Sequence, residues 1–119
     1  MPPLETDPVE AVRRICLAFP EATEKEAWGD PTFRVQDKIF AMVKNSRTTV
    51  WCKAPEGAQE VLVGAEPETF FVPPYVGHRG WIGVRIADNG DWEQVAEIVH
   101  ESYRMTAPKR LLTLLDESD

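Results

Sequence analysis

Phe70-Phe-Val-Pro-Pro-Tyr-Val-Gly-His-Arg-Gly-Trp-Ile-Gly-Val-Arg-Ile86 is the stretch on which the fold turns. Aromatic and β-branched residues at its two ends read as strands, Thr69 to Val72 and Trp81 to Ile86. Pro73-Pro74 interrupts the first, because proline has no amide hydrogen to give a ladder, so that strand belongs at a sheet edge or a bulge. Gly77-His78-Arg79-Gly80 then reads as a hairpin turn, and Asp88-Asn89-Gly90 ends the returning strand.

Upstream, Trp28 to Val35 and Lys38 to Val43 read as two strands across a tight turn at Gln36-Asp37, after a polar, acidic connection. Thr48 to Lys53 gives a third, reached through Asn45-Ser46-Arg47. Pro55 to Gly64 has proline and glutamate at its start and glycine at its end, the asymmetry of a short helix. At the N-terminal side, Asp7-Pro8-Val9-Glu10 has capping-box spacing, and Val9, Val12, Ile15, Cys16 and Phe19 form one apolar stripe that Pro20 ends. Downstream, Asp91 with Gln94 opens another helix, whose Val95, Ile98, Val99, Ser102 and Tyr103 share a face. Pro108 breaks it before the helical Lys109 to Leu115.

Helices at both ends with hairpin-length links between strands predict one α+β domain over residues 1–119: an antiparallel sheet with the helices packed on one face. Alternation sorts the side chains. If Phe33, Val35, Val50, Cys52, Ile82, Val84 and Ile86 face the helices, then Arg34, Trp51, Lys53, Trp81 and Arg85 lie on the other face.

Charge follows the same division. The chain has 13 basic and 20 acidic residues, net −7, yet residues 31–55 are net +4 and 77–87 net +2. Every net-positive block is strand-like. Arg34, Lys38, Lys44, Arg47, Lys53, Arg79 and Arg85, with Trp51 and Trp81 as stacking platforms and His78 in a glycine-flanked turn, form a candidate nucleic-acid surface. Basic groups track phosphates while aromatic rings stack on bases. The plainer reading is a solvated sheet face with Lys and Arg stems lying over tryptophan rings. The net acidity weighs toward that plainer reading, since phosphate binding is dominated by Lys and Arg.

The pieces Trp28-Gly29, Pro31-Thr-Phe-Arg34, Lys38-Ile-Phe-Ala41, Trp51-Cys-Lys53, Tyr75-Val-Gly-His78, Gly80-Trp81, Ser102-Tyr103 and Pro108-Lys-Arg-Leu111 together resemble the MmcQ/YjbR family of small bacterial proteins, over nearly the whole chain. The resemblance implies a frataxin-like fold in which hairpins form a double wing proposed to bind DNA, and it brings no agreed catalytic residues. Iron binding by likeness to frataxin would need an acidic ridge on the first helix. Glu5, Asp7, Glu10, Glu21, Glu24 and Glu26 more simply serve capping and solubility.

No catalytic motif is present: Ser46, Ser102 and Cys52 lack a nucleophile-elbow context, and no glycine-rich phosphate loop follows a strand. Cys16 and Cys52 are expected to be buried, reduced thiols. His100, beside Glu97 and Glu101, reads as solvated, and neither histidine has zinc-ligand spacing. With no secretory leader pattern and no apolar run of about 20 residues, a cytoplasmic protein is expected. The expectation is therefore a non-enzymatic binding protein without a cofactor, with DNA as partner and no membrane contact. The alternative is a small-molecule or protein-binding module with a pocket near Trp28, His78 and Trp81.

Overall fold

A computed structural model describes residues 8–44, 48–86 and 91–117. Ten elements of regular structure longer than a single turn lie within these residues. They are α1 (Pro8–Leu17), β1 (Thr23–Ala27), β2 (Asp30–Val35), β3 (Lys38–Lys44), β4 (Thr49–Cys52), α2 (Ala58–Ala65), β5 (Phe70–Phe71), β6 (Ile82–Arg85), α3 (Trp92–Thr106) and α4 (Lys109–Glu117). The strands form one sheet in the order β1-β2-β3-β4-β6-β5. Every neighbouring pair is antiparallel, as expected.

Two hairpins turn on paired left-handed residues, Trp28-Gly29 (φ 54° and 82°) and Gln36-Asp37 (φ 53° and 64°). Such two-residue turns match the right-handed twist of the strands they join. The strand expected from Trp28 therefore starts at Asp30. What read as a polar connection contains β1, an edge strand exposed along Thr23 to Glu26. Its Glu-Lys-Glu run gives no apolar alternation to read, and the same charges discourage edge-to-edge pairing with another chain.

The face assignment from alternation agrees with the structure. Phe33, Val35, Val50, Cys52, Ile82, Val84 and Ile86 all lie in the core with Val9, Val12 and Cys16 of α1, Val95, Val99 and Tyr103 of α3, and Leu111 of α4. Asp91 caps α3 by accepting from the Gln94 amide at 3.1 Å. Asp7, the expected cap of α1, lies outside the described residues. Arg13 of α1 donates to Glu24 of β1 at 2.7 and 2.9 Å and also meets Glu10, which ties the first helix to the edge strand. That guanidinium holds the Glu24 carboxyl below the usual carboxylate range. Glu24, a carboxylate expected only to cap and solubilise, thus acts as a tie between elements.

β3 departs from regular alternation at one place. Phe33 pairs with Ala41 and Arg34 with Ile39, so Phe40 is an extra residue, a β-bulge that turns both Phe40 and Ala41 toward the helices. The Phe40 carbonyl accepts from the Ser102 hydroxyl of α3, and the same hydroxyl accepts from the Lys53 amide at 2.9 Å. Next to it, Tyr103 stacks on Phe19 (centroids 4.7 Å), meets Phe40 edge-on (5.4 Å) and donates to the Pro20 carbonyl at 2.7 Å. No helix among the described residues is long and apolar enough to cross a membrane.

Ser102→Ala leaves the Phe40 carbonyl and the Lys53 amide without their buried partner. Urea unfolding should therefore show a loss of about 1–3 kcal/mol with an unchanged slope; an unchanged midpoint would contradict this account of the bulge. Cys16 and Cys52 are both buried and free. Burial raises the Cys16 thiol and pushes the Cys52 thiol up to about 12. At about pH 8 a thiol reagent should label neither in the folded protein and both after unfolding.

Candidate functional site

The sheet face turned away from the helices carries a second, smaller core. Thr32, Met42, Trp51, Gly83 and Phe71 are successive partners across β2, β3, β4, β6 and β5. Gly83 leaves space that the Phe71 ring occupies: a Cβ there would sit 2.3 Å from the ring. Met42, Trp51 and Trp81 pack together with Ile39, Phe71 and Val76. Trp51 is only 4% and Trp81 only 6% exposed, which corrects the expectation of two open stacking platforms. Strand alternation places both rings on this face correctly, but the β5–β6 connection folds back and lays Val76 against them. A tryptophan buries about 150–250 Å², so covering the rings is favoured over leaving them wet.

The expected basic residues fall at two ends of the sheet. At the end holding the Trp28-Gly29 turn, the Lys44 ammonium lies 5.6 Å from the Trp28 and Trp51 ring centroids and 3.3 Å from Asp30. Arg85 lies over the Phe71 ring at 4.6 Å and donates to the Pro67 and Glu68 carbonyls. Arg34, away from that end and beside the Gln36-Asp37 turn, donates to the Thr32 hydroxyl at 3.1 Å and stands 3.8 Å from Asp37. Arg34, Lys44 and Arg85 are therefore all locally engaged. Arg47 lies outside the described residues.

At the other end, Lys38 opens β3, Lys53 follows β4, and Arg79 closes a 3-10 turn over Gly77–Arg79. None of the three has a carboxylate partner among the described residues. Burial, then the neighbouring charges of Lys38 and Arg79, hold the Lys53 ammonium below the usual lysine range. Lys38 and Arg79 thus both act on Lys53, and among the described residues no carboxylate pairs with any of the three. His78 is exposed in the same turn, which Gly80 ends in a left-handed conformation at φ 86°.

Trp28, His78 and Trp81 do not line one pocket. Trp28 sits at the tip of the β1–β2 hairpin, 77% exposed, whereas His78 and Trp81 belong to the opposite end of the sheet, beside the far edge. A shallow groove of about 670 Å³ lies instead between α1 and α3, lined by Ile15, Phe19, Ala96, Glu97, His100 and Glu101. His100, expected to be solvated, is half-buried with its ring 5.8 Å from that of Phe19. Among the described residues no group of three or more His, Cys, Asp or Glu is placed to hold a metal ion.

Two further residues shape this region. Gln59 of α2 donates from one amide nitrogen to the Gly77 and Trp81 carbonyls at 2.8 and 2.6 Å, fastening the connection to the body. Tyr75, at φ 68° and 88% exposed, is held outward at the crest of that connection.

Residues 17–105 match the family model described as YjbR. The fold is similar to that of Deinococcus radiodurans protein DR2400, a DUF419 family-model domain, with a TM-score of 0.73 at 18% identity over 82% of this chain and 76% of that one. No curated protein matches the chain.

The cation cluster has a direct readout. Lys38→Gln and Arg79→Gln should each raise the Lys53 ammonium pKa toward the ordinary lysine value of about 10.4. NMR titration of labelled lysine side chains measures this, and a value unmoved by both substitutions would show that the three charges do not interact.

Proposed function

The chain belongs to the YjbR family, and on that premise we propose that it is a non-enzymatic nucleic-acid-binding protein whose phosphate contacts come from Lys38, Lys53 and Arg79. The observation that carries this reading is that Lys38 and Arg79 both act on Lys53 and that none of the three has a carboxylate partner among the described residues, in a chain of net charge −7. Like charges held together repel one another, and an arriving phosphate relieves that repulsion while releasing its own counterions. His78 lies beside Arg79 at the same turn and offers a ring N–H as a donor.

The remaining members of the surface have secondary parts. Arg34, Lys44 and Arg85 line the same sheet with their charges partly satisfied, and Arg47 belongs to the same positive block of the sequence. Trp28 and Tyr75, rather than the buried Trp51 and Trp81, offer exposed rings, and stacking a base on such a ring contributes about 1–3 kcal/mol. On the helix side, Glu93, Glu97 and Glu101 leave α3 net negative, which favours approach of a polyanion to the strands. Such a role places the protein in the cytoplasm, where its thiols stay reduced.

DNA retardation with single- and double-stranded probes at about 50 and 200 mM salt tests the reading. Binding should be modest and should weaken steeply between the two. Lys53→Glu and Arg79→Glu should each reduce affinity about tenfold or more. Arg14→Glu on the exposed side of α1 should change little. Stability of the Arg79 variant should stay within about ±0.5 kcal/mol. No binding at the lower salt, or binding indifferent to both strand-side reversals, overturns the proposal.

A further inference from the structure

The connection between β5 and β6 is built as a cover. Pro73 is buried and anchors one end, and Gly80, in a left-handed turn, stands at the other. Between them Val76 is the residue packed against Met42, Trp51 and Trp81. The cluster that Val76 packs against holds the one buried side-chain polar atom among the described residues that has no hydrogen-bond partner, the indole nitrogen Nε1 of Trp51. Buried donors are nearly always satisfied, and an orphaned one costs as much as a lost hydrogen bond. An indole N–H can only donate, so what it lacks is an acceptor.

The cover is held lightly. The Val76 amide bonds within the connection, to the Pro74 carbonyl at 2.7 Å, and the amides of Arg79 and Gly80 bond to Val76 and Gly77. Its side-chain tie to the body is Gln59, through the Gly77 and Trp81 carbonyls. The crest is strained, with the non-glycine Tyr75 at φ 68°. Gly77 touches Val72 so closely that a Cβ would lie 2.5 Å from its methyl carbon.

We infer that residues 74–80 are a lid over a closed binding site in which Trp81 is the stacking floor and Trp51 Nε1 the donor, and that the ligand is a nucleobase of a single strand. This rests on the nucleic-acid reading above and deepens it. Lys53 lies two residues past Trp51, just beyond the end of β4, and Arg79 two residues before Trp81, so both cations adjoin the segments that build the closed site. A ligand suited to both must join a phosphate to a flat ring bearing an acceptor at its edge. A nucleotide unit does so, and only an unpaired strand presents the free face and edge of its base. With the lid closed, affinity is reduced by the fraction of molecules that are open.

The test uses the full chain with labelled tryptophan and an oligothymidylate probe. Adding the probe should shift the Trp51 indole N–H signal. Gln59→Ala, which removes the latch, should speed exchange of that proton with solvent and raise single-strand affinity about threefold or more without a matching gain for duplex. Val76→Ala loosens the cover from its inner side and should act in the same direction, so the result does not hang on the folding of one variant. Single-strand binding that leaves the Trp51 indole signal in place, with neither variant changing affinity or exchange, overturns the lid and leaves the phosphate contacts standing. Failure of both single-stranded and duplex DNA to bind overturns both.

Discussion

The hydroxyl of Ser102 stands where β3 and β4 part, and the arrangement of both sheet faces follows from that bridge. The bulge at Phe40 takes a carbonyl out of the regular ladder, and Ser102 gives it a donor while accepting the Lys53 amide on the facing strand. Without a polar side chain from α3 at that point, two buried backbone groups would go unpaired. With it, Phe40 and Ala41 both turn inward, Ile39 turns to the outer face, and Lys53 leaves the end of β4 in a defined direction. The serine that a motif search would weigh as a nucleophile is a structural bridge. Its hydroxyl is buried, and no general base is described beside it.

A sheet with one face under helices usually leaves the other to water, and this one does so only in part. Trp51, Trp81 and Met42 form a small apolar layer under a connection with little regular structure, bordered by cations at both ends. The two ends differ in electrostatic state. Lys44 and Arg85 have met a ring, a carboxylate or a carbonyl, and Arg34, which lies toward the other end, stands 3.8 Å from Asp37. Lys38 and Arg79 both act on Lys53 instead, whose proton affinity is lowered first by burial and then by those two charges. Functional sites often hold like charges together in this way because a ligand, rather than the fold, supplies the opposite charge.

The sequence by itself determined whatever depends on local rules. Period-two alternation sorted the residues of β2, β4 and β6 to their faces, because a strand cannot present neighbouring side chains to the same side without a bulge. The Asp91–Gln94 spacing marked the start of α3, Gln36-Asp37 marked a tight turn, and Pro108 marked the break before α4. The tertiary structure alone decided the rest. β1 carries no apolar signal and exists because β2 offers it a partner. The bulge at Phe40 is stabilised by a serine 62 residues away in the chain. The burial of Trp51 and Trp81 depends on where a connection with no periodic pattern comes to rest, and the meeting of Lys38, Lys53 and Arg79 depends on three separate segments ending at one end of the sheet. Contacts between distant segments leave no periodic trace in either sequence, so their geometry becomes visible only once the chain has closed on itself.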